Sequence, residues 1–214
     1  MARNYQLELE ACLRELAGQR PRLLLHSCCA PCSGYVLEYL STFFEITVDY
    51  YNPNLDSEKE YQLRCAEQAR FLEQAPFCTG VRLEAVPYEP AAFYSAVKGL
   101  ERIPEGGERC FACYRLRLEQ AARRCLDGGF DFFTTTLSIS PHKNAAKLNE
   151  IGEELAAQYG VRWLPCDFKK KNGFKRSTEL AAEYGLYRQD YCGCIYSKQE
   201  AEQRLLHHKE ESNA

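Results

Sequence analysis

Short apolar runs alternate with amphipathic stretches along most of this chain, and that alternation restricts its possible folds more than any other feature. Residues 6–17 place Leu9, Cys12, Leu13 and Leu16 at i, i+3, i+4 and i+7, the stripe of a helix. Arg22 to His26 reads as a short buried strand and Glu45 to Tyr51 as a second, ending in the turn Asn52-Pro53-Asn54. A helix is expected from Ser57 to about Leu72, a third strand over Val81 to Val86, and a helix over Phe111 to Leu126. A fourth strand over Asp131 to Thr135, a helix over Ala145 to Tyr159 and a fifth strand over Val161 to Cys166 follow. Strands separated by helices imply an α/β fold with a parallel sheet flanked by helices, in which ligands collect at the carboxyl ends of the strands. Two loops fall at such ends: HSCCAPC from His26 to Cys32, and TLSISPHKN from Thr136 to Asn144. No Gly/Ser/Pro-rich linker divides residues 1–214, so one α/β domain is expected, with 201–214 as a charged C-terminal tail.

Cysteine is the compositional outlier, with twelve in 214 residues. The N-terminus lacks the apolar stretch of a signal peptide, and no run approaches the roughly 20 residues that span a bilayer. A cytoplasmic protein without membrane contact is therefore expected. Cytosolic thiols stay reduced, so clustered cysteines there act as metal ligands or redox catalysts rather than as a disulfide scaffold. Cys12, Cys65, Cys78, Cys125 and Cys166 are solitary and read as core residues. The other seven form three groups: Cys28, Cys29 and Cys32; Cys110 and Cys113; Cys192 and Cys194.

Cys110 and Cys113 stand at i and i+3 at a helix start, where both sulfurs can face one point. Gly193 frees the backbone between Cys192 and Cys194 to wrap a metal. Neighbouring side chains of an extended chain diverge, so Cys28 and Cys29 are expected to serve different metals, with Cys32 able to join either. Seven sulfurs exceed the needs of one tetrahedral site or one cubane, which implies two centres, and all-sulfur ligation favours zinc or iron–sulfur. Neither a Walker A loop nor a GxGxxG turn is present, so nothing requires ATP or a dinucleotide.

The net charge of −3 offers no general attraction to nucleic acid, but Lys169, Lys170, Lys171, Lys175 and Arg176, interleaved with Phe168 and Phe174, form a local patch suited to an RNA backbone. Arg115, Arg117, Arg123 and Arg124 can extend a positive path from the second cysteine group or pair with acids. Tyr187 to Tyr191 lead into the last group, and Asp190 and Tyr191 are the candidate proton donors. His26 and His142 lie at strand ends, where either a structural or a direct role fits.

The ordered set LLLHSCCAPC, RCFACYRLRL, TTLSISPHKN, DFKKKNGFKRS and YRQDYCGCIYS resembles the QueH-type epoxyqueuosine reductases across roughly residues 20 to 200. The resemblance implies a Rossmann-like sheet related to nucleotide α-hydrolases, a 4Fe-4S cluster and a neighbouring mononuclear iron. It implies as reaction the deoxygenation of the epoxide of epoxyqueuosine at the tRNA wobble nucleotide, giving queuosine. Cys28, Cys29, Cys110 and Cys113 are expected to bind the cofactor, and all seven grouped cysteines to be metal ligands. Cys28, Cys32, Cys192 and Cys194 then share the remaining cluster position and the single iron. The expected partners are tRNA carrying epoxyqueuosine and an electron donor of the ferredoxin or flavodoxin type. Two other readings compete: a thiol-disulfide oxidoreductase cycling a disulfide between Cys29 and Cys32, and a zinc-stabilised RNA-binding module.

Overall fold

Leu23, Leu24 and Leu25 are completely buried in sequence, with none of the alternation of a half-exposed strand. A run of that kind belongs in the middle of a parallel sheet covered on both faces. The computed structural model, which describes residues 3–212, places it there. The strands are β1 (Arg22–His26), β2 (Glu45–Tyr50), β3 (Arg82–Ala85) and β4 (Phe132–Thr135), ordered β3-β2-β1-β4 and all parallel. In register, Leu24 lies between Thr47 and Phe133. The edge strand β3 is largely exposed.

Eight helices accompany the sheet among the described residues: α1 (Tyr5–Glu15), α2 (Ala30–Leu40), α3 (Glu58–Gln74), α4 (Pro90–Ala96), α5 (Glu108–Asp127), α6 (Ala145–Tyr159), α7 (Gly173–Glu183) and α8 (Ile195–Ser212). Ser57 Oγ accepts the Glu60 N–H at the start of α3, and Asn144 Oδ1 accepts the Lys147 N–H at the start of α6. None of these helices is long and apolar enough to cross a membrane.

One expectation needs correction, and two segments take a form the sequence left open. The segment 161–166 is not a fifth strand: it meets β4 at a single bridge, Phe133 to Trp163, with Phe133 N–H donating to Arg162 O and Leu164 N–H to Phe133 O. Pro165 has no N–H to continue the ladder, and Thr134 Oγ1 takes the Leu164 carbonyl instead. Helix α7 starts inside the basic stretch, at Gly173. The charged tail expected over 201–214 continues α8 as far as Ser212; residues 213 and 214 lie outside the described residues.

Helix α7 packs closely on α2. A Cβ at Gly173 would sit 1.9 Å from the Phe168 carbonyl oxygen and 2.4 Å from the Tyr35 ring, and backbone oxygen cannot swing aside as a side chain can. Gly173→Ala is expected to cost about 3 kcal/mol by overpacking. Urea unfolding of the two proteins checks this, and equal midpoints would refute it.

Candidate metal and active site

The carboxyl end of β1 delivers the first cysteine group. The chain bends at Cys28, leaves Cys29 extended as the N-cap of α2, and enters the helix at Ala30 with Pro31 in its first turn. Cys29 and Cys32 are thus three apart around a helix start, and their Sγ atoms lie 2.8 Å apart. Cys28 Sγ is 3.8 Å from Cys29 Sγ and 3.6 Å from Thr136 Oγ1, at the end of β4. All three sulfurs lie within 4.8 Å of one another. Cys28 and Cys29 therefore do not diverge. Side-chain alternation holds only in regular strand, and the bend between β1 and α2 removes it.

The three thiols share charge unequally. Hydrogen bonds from Cys29 and Cys32, with the Arg117 guanidinium behind them, hold the Cys28 thiol well below its ordinary range. Those same bonds to Cys28, with burial, push Cys29 and Cys32 up. Of the three, Cys28 is therefore the sulfur on which negative charge is most favoured. Three soft donors this close suit a thiophilic metal: bonds of about 2.3 Å in a tetrahedron set sulfurs about 3.8 Å apart, the spacing of Cys28 and Cys29, and the Cys29–Cys32 pair would open to it.

The cavity in front of these sulfurs has a volume of about 570 Å³ and is walled by Cys28, Cys29, Cys32, Cys192, Asp190 and Tyr191, with Arg64, Arg117, Lys143 and Phe174 around them. Lys143 comes from the loop after β4. Its Nζ lies 2.9 Å from Cys192 Sγ and 3.0 Å from Glu105 Oε1. Burial opposes its charge, but Cys192, Tyr114 and Glu105 outweigh that and hold the ammonium protonated.

Cys110, Cys113 and Cys194 do not line the cavity. Cys110 Sγ accepts the Gly106 N–H at 3.2 Å at the start of α5, and burial pushes its thiol up. Cys113 and Cys194 pack with Phe93 and Val97, and burial pushes the Cys113 thiol up to about 12. The groups are linked by Arg117, whose guanidinium feels the charges of Cys113, Cys28 and Cys192. Among the described residues, only Cys28, Cys29 and Cys32 form a compact set of three potential ligands. The five solitary cysteines belong to the core or pack against it, and all twelve are free thiols.

Arg117 is 2 % exposed and is not part of a surface path. Its Nε donates to His26 Nε2 at 3.1 Å and its Nη2 donates to Asn52 Oδ1. With Nε2 accepting, His26 is neutral and carries its proton on Nδ1, which donates to Thr135 Oγ1 at 2.8 Å. Burial, then the Arg117 charge, pushes this imidazole down to about 3. His26 is thereby fully used as a support for Arg117. The other arginines of α5 pair with acids: Arg109 with Glu200, Arg115 with Glu154, Arg123 with Glu119, and Arg124 with Asp49 and Glu84. His142 is exposed on the cavity wall.

Asp190 is exposed at the cavity, whereas Tyr191 is half-buried with its hydroxyl 3.5 Å from Asp56 Oδ1. In the basic stretch, Lys169 pairs with Asp167, Lys171 with Glu10, Lys175 with Glu179, and Arg176 with Glu38 and Glu179. Lys170 makes no ion pair among the described residues. Phe168 is core, and of this segment Phe174 and Ser177 reach the cavity. Exposed pairs contribute only about 0–1 kcal/mol, so these cations can exchange carboxylates for phosphates.

Arg64 and Lys143 were not foreseen as site residues. Lys143 stood in a loop already expected to wall the site, so its position was a usable signal. Arg64 lies in mid-helix and carries no motif.

A parallel α/β sheet with a thiol-lined cavity at the carboxyl ends of its strands defines a class: Rossmann-like proteins carrying a cysteine cluster able to hold a metal. The family profile described as "Epoxyqueuosine reductase QueH" matches residues 23–200. Relatives of that name from Streptococcus pyogenes and Staphylococcus epidermidis are 43% and 40% identical to the chain, covering 86% and 91% of it and 72% and 86% of their own lengths. A more distant one from Thermotoga maritima is 34% identical over 82% of the chain and 89% of its own length. The chain belongs to the QueH family of epoxyqueuosine reductases.

Proposed function

We propose that this protein reduces the epoxide of epoxyqueuosine at the wobble position of tRNA, leaving the cyclopentene of queuosine. The observation that carries this reading is the sulfur-walled cavity at the sheet's carboxyl edge, in a chain of the QueH family. Both carbon–oxygen bonds of the epoxide break, a carbon–carbon double bond forms, and the oxygen leaves as water. Two electrons and two protons are consumed. A cavity of about 570 Å³ admits one nucleoside and not a folded stem, so the wobble residue enters singly while the rest of the anticodon stays outside.

When bound, a 4Fe-4S cluster and a neighbouring iron supply single electrons and Lewis acidity toward oxygen. Cys28, Cys29, Cys32 and Cys192 line the cavity and would hold metal there, with Cys110, Cys113 and Cys194 as further ligands. Arg117 offsets the accumulated negative charge. Asp190 and Tyr191 supply protons. Arg188 and Arg204 on the cavity wall make no ion pair among the described residues and, with the 169–176 cations, face the phosphates flanking the target. A ferredoxin- or flavodoxin-type protein delivers the electrons.

Protein purified without oxygen is expected to be brown, to contain about five irons if one cubane and one single iron are present, and to convert epoxyqueuosine tRNA when given a strong reductant. Stoichiometric zinc with no conversion would refute the reading and support an RNA-binding module instead. The 2.8 Å approach of Cys29 to Cys32 favours one further reading, a dithiol that cycles a disulfide. Colourless, iron-free protein active with dithiols would establish it.

A further inference from the structure

Phe174 is 40 % exposed, and among the exposed large apolar side chains of the described residues it alone lines the cavity. Tyr191, on the same wall, already has the Arg64 guanidinium 5.4 Å and Lys198 Nζ 5.9 Å from its ring centre. No aromatic ring or cation lies against Phe174 among the described residues. Its backbone, by contrast, is held firmly. Gly173 seats this first turn of α7 directly against Phe168 and Tyr35. The Phe174 carbonyl then accepts from Ser177 Oγ at 2.7 Å and from Thr178 Oγ1 at 3.1 Å. Ser177 stands three residues on, on the same helix face, and also lines the cavity.

A single apolar side chain on a convex surface needs no explanation. A phenyl ring on a cavity wall is different, because a ligand that enters can cover it and recover the burial the folded chain forgoes. Arg188 and Arg204 stand on the same wall without ion pairs among the described residues. A flat ring joined to phosphates answers both features, and a nucleotide is such a group. The epoxide of the target is borne on a ring tethered to the nucleobase, so the base must enter the cavity with it.

We propose that Phe174 is the platform on which the unstacked wobble nucleobase lies, replacing the neighbours the base leaves in the anticodon loop. This rests on the functional reading above, which supplies the nucleotide. Phe174 is a binding residue, and no atom of it takes part in the reaction. Because every base has a π-face, the platform gives affinity and leaves discrimination between bases to polar groups.

The test measures binding of two RNAs to metal-loaded protein held without reductant: an anticodon stem-loop carrying epoxyqueuosine, and the same stem-loop with no base at the wobble position. Phe174→Ala and Phe174→Leu are expected to weaken binding of the intact RNA about tenfold, and Phe174→Tyr, which keeps a flat ring, to stay near the parent. On the abasic RNA, parent and Phe174→Ala should agree within about twofold, because the ring then has nothing to stack on. A merely structural role would weaken both RNAs alike. Metal content and melting temperature should match the parent in all three variants, since the side chain is exposed. An active parent enzyme whose Phe174→Ala variant binds the intact RNA within about twofold of it, or loses equal affinity for both RNAs, would overturn the proposal alone. So would parent-like binding by Phe174→Leu. Coupling between Phe174 and the base in a parent that converts no epoxyqueuosine tRNA would sink the functional reading and leave the platform in place.

Discussion

Cys29→Ala protein, purified without oxygen, is expected to keep its fold, bind less metal than the parent and turn over epoxyqueuosine tRNA more than about 100-fold slower. Cys29 is the middle member of the triad, 3.8 Å from Cys28 Sγ and 2.8 Å from Cys32 Sγ, so its removal leaves the outer two sulfurs without the donor between them. Loss of a group that merely supports a ligand costs 10–100-fold in metal affinity or activity, so loss of the ligand itself should exceed that. The fold should pay little, because Ala adopts the extended backbone of this N-cap and only one sulfur atom is deleted. Cys78→Ala is the matched comparison. That thiol is equally buried but packs in the apolar core just after the end of α3, so the variant should lose some stability and no metal. Iron analysis and unfolding of both proteins decide the matter, and Cys29→Ala with a full iron complement would contradict the assignment.

Arg117→Met should lower stability by about 4 kcal/mol. Methionine fills much of the space, but Asn52 Oδ1 and His26 Nε2 then lose their donor in a buried setting, at about 1–3 kcal/mol each. For a chain of this size the change corresponds to roughly 10 °C in melting temperature. Arg117→Lys should recover little, because a single ammonium cannot reach both acceptors as the planar fork does. The Cys28 thiol also loses its nearest cation and should titrate higher. Thermal unfolding and thiol alkylation against pH measure the two effects. A melting point within 2 °C of the parent would show that the Arg117 network is dispensable.

Much of this architecture is legible in the sequence because it is written in local periodicity. The bounds of β1 and α6 follow from the Leu23–Leu25 run and from the apolar spacing between Asn144 and Gly160. The segment 161–166 misleads because Val161, Trp163 and Leu164 have strand composition while Pro165 stops the ladder, a contest that composition alone leaves open. Helix α2 hides behind three cysteines and a proline, and α7 behind a run of cations that reads as exposed loop. At the site, the first cysteine group is visible as a motif at a strand end. The convergence of Arg64 and Lys143 on it is not, because each depends on the packing of an element distant in sequence from the group it serves. Arg117 shows the same limit: its spacing within α5 suggests a charged surface, and only the tertiary fold reveals His26 and Asn52 waiting for it.

The cavity wall is assembled from opposite ends of the polypeptide, Cys28, Cys29 and Cys32 near the start and Cys192 near the finish. During translation Cys192 is added 160 residues after Cys32, an interval on the order of ten seconds. The nascent chain therefore carries reactive thiols without their opposing wall for that period. Cofactor delivery must wait for the carboxyl-terminal segment or be protected until it arrives, which ties maturation of this enzyme to the reducing capacity of its surroundings.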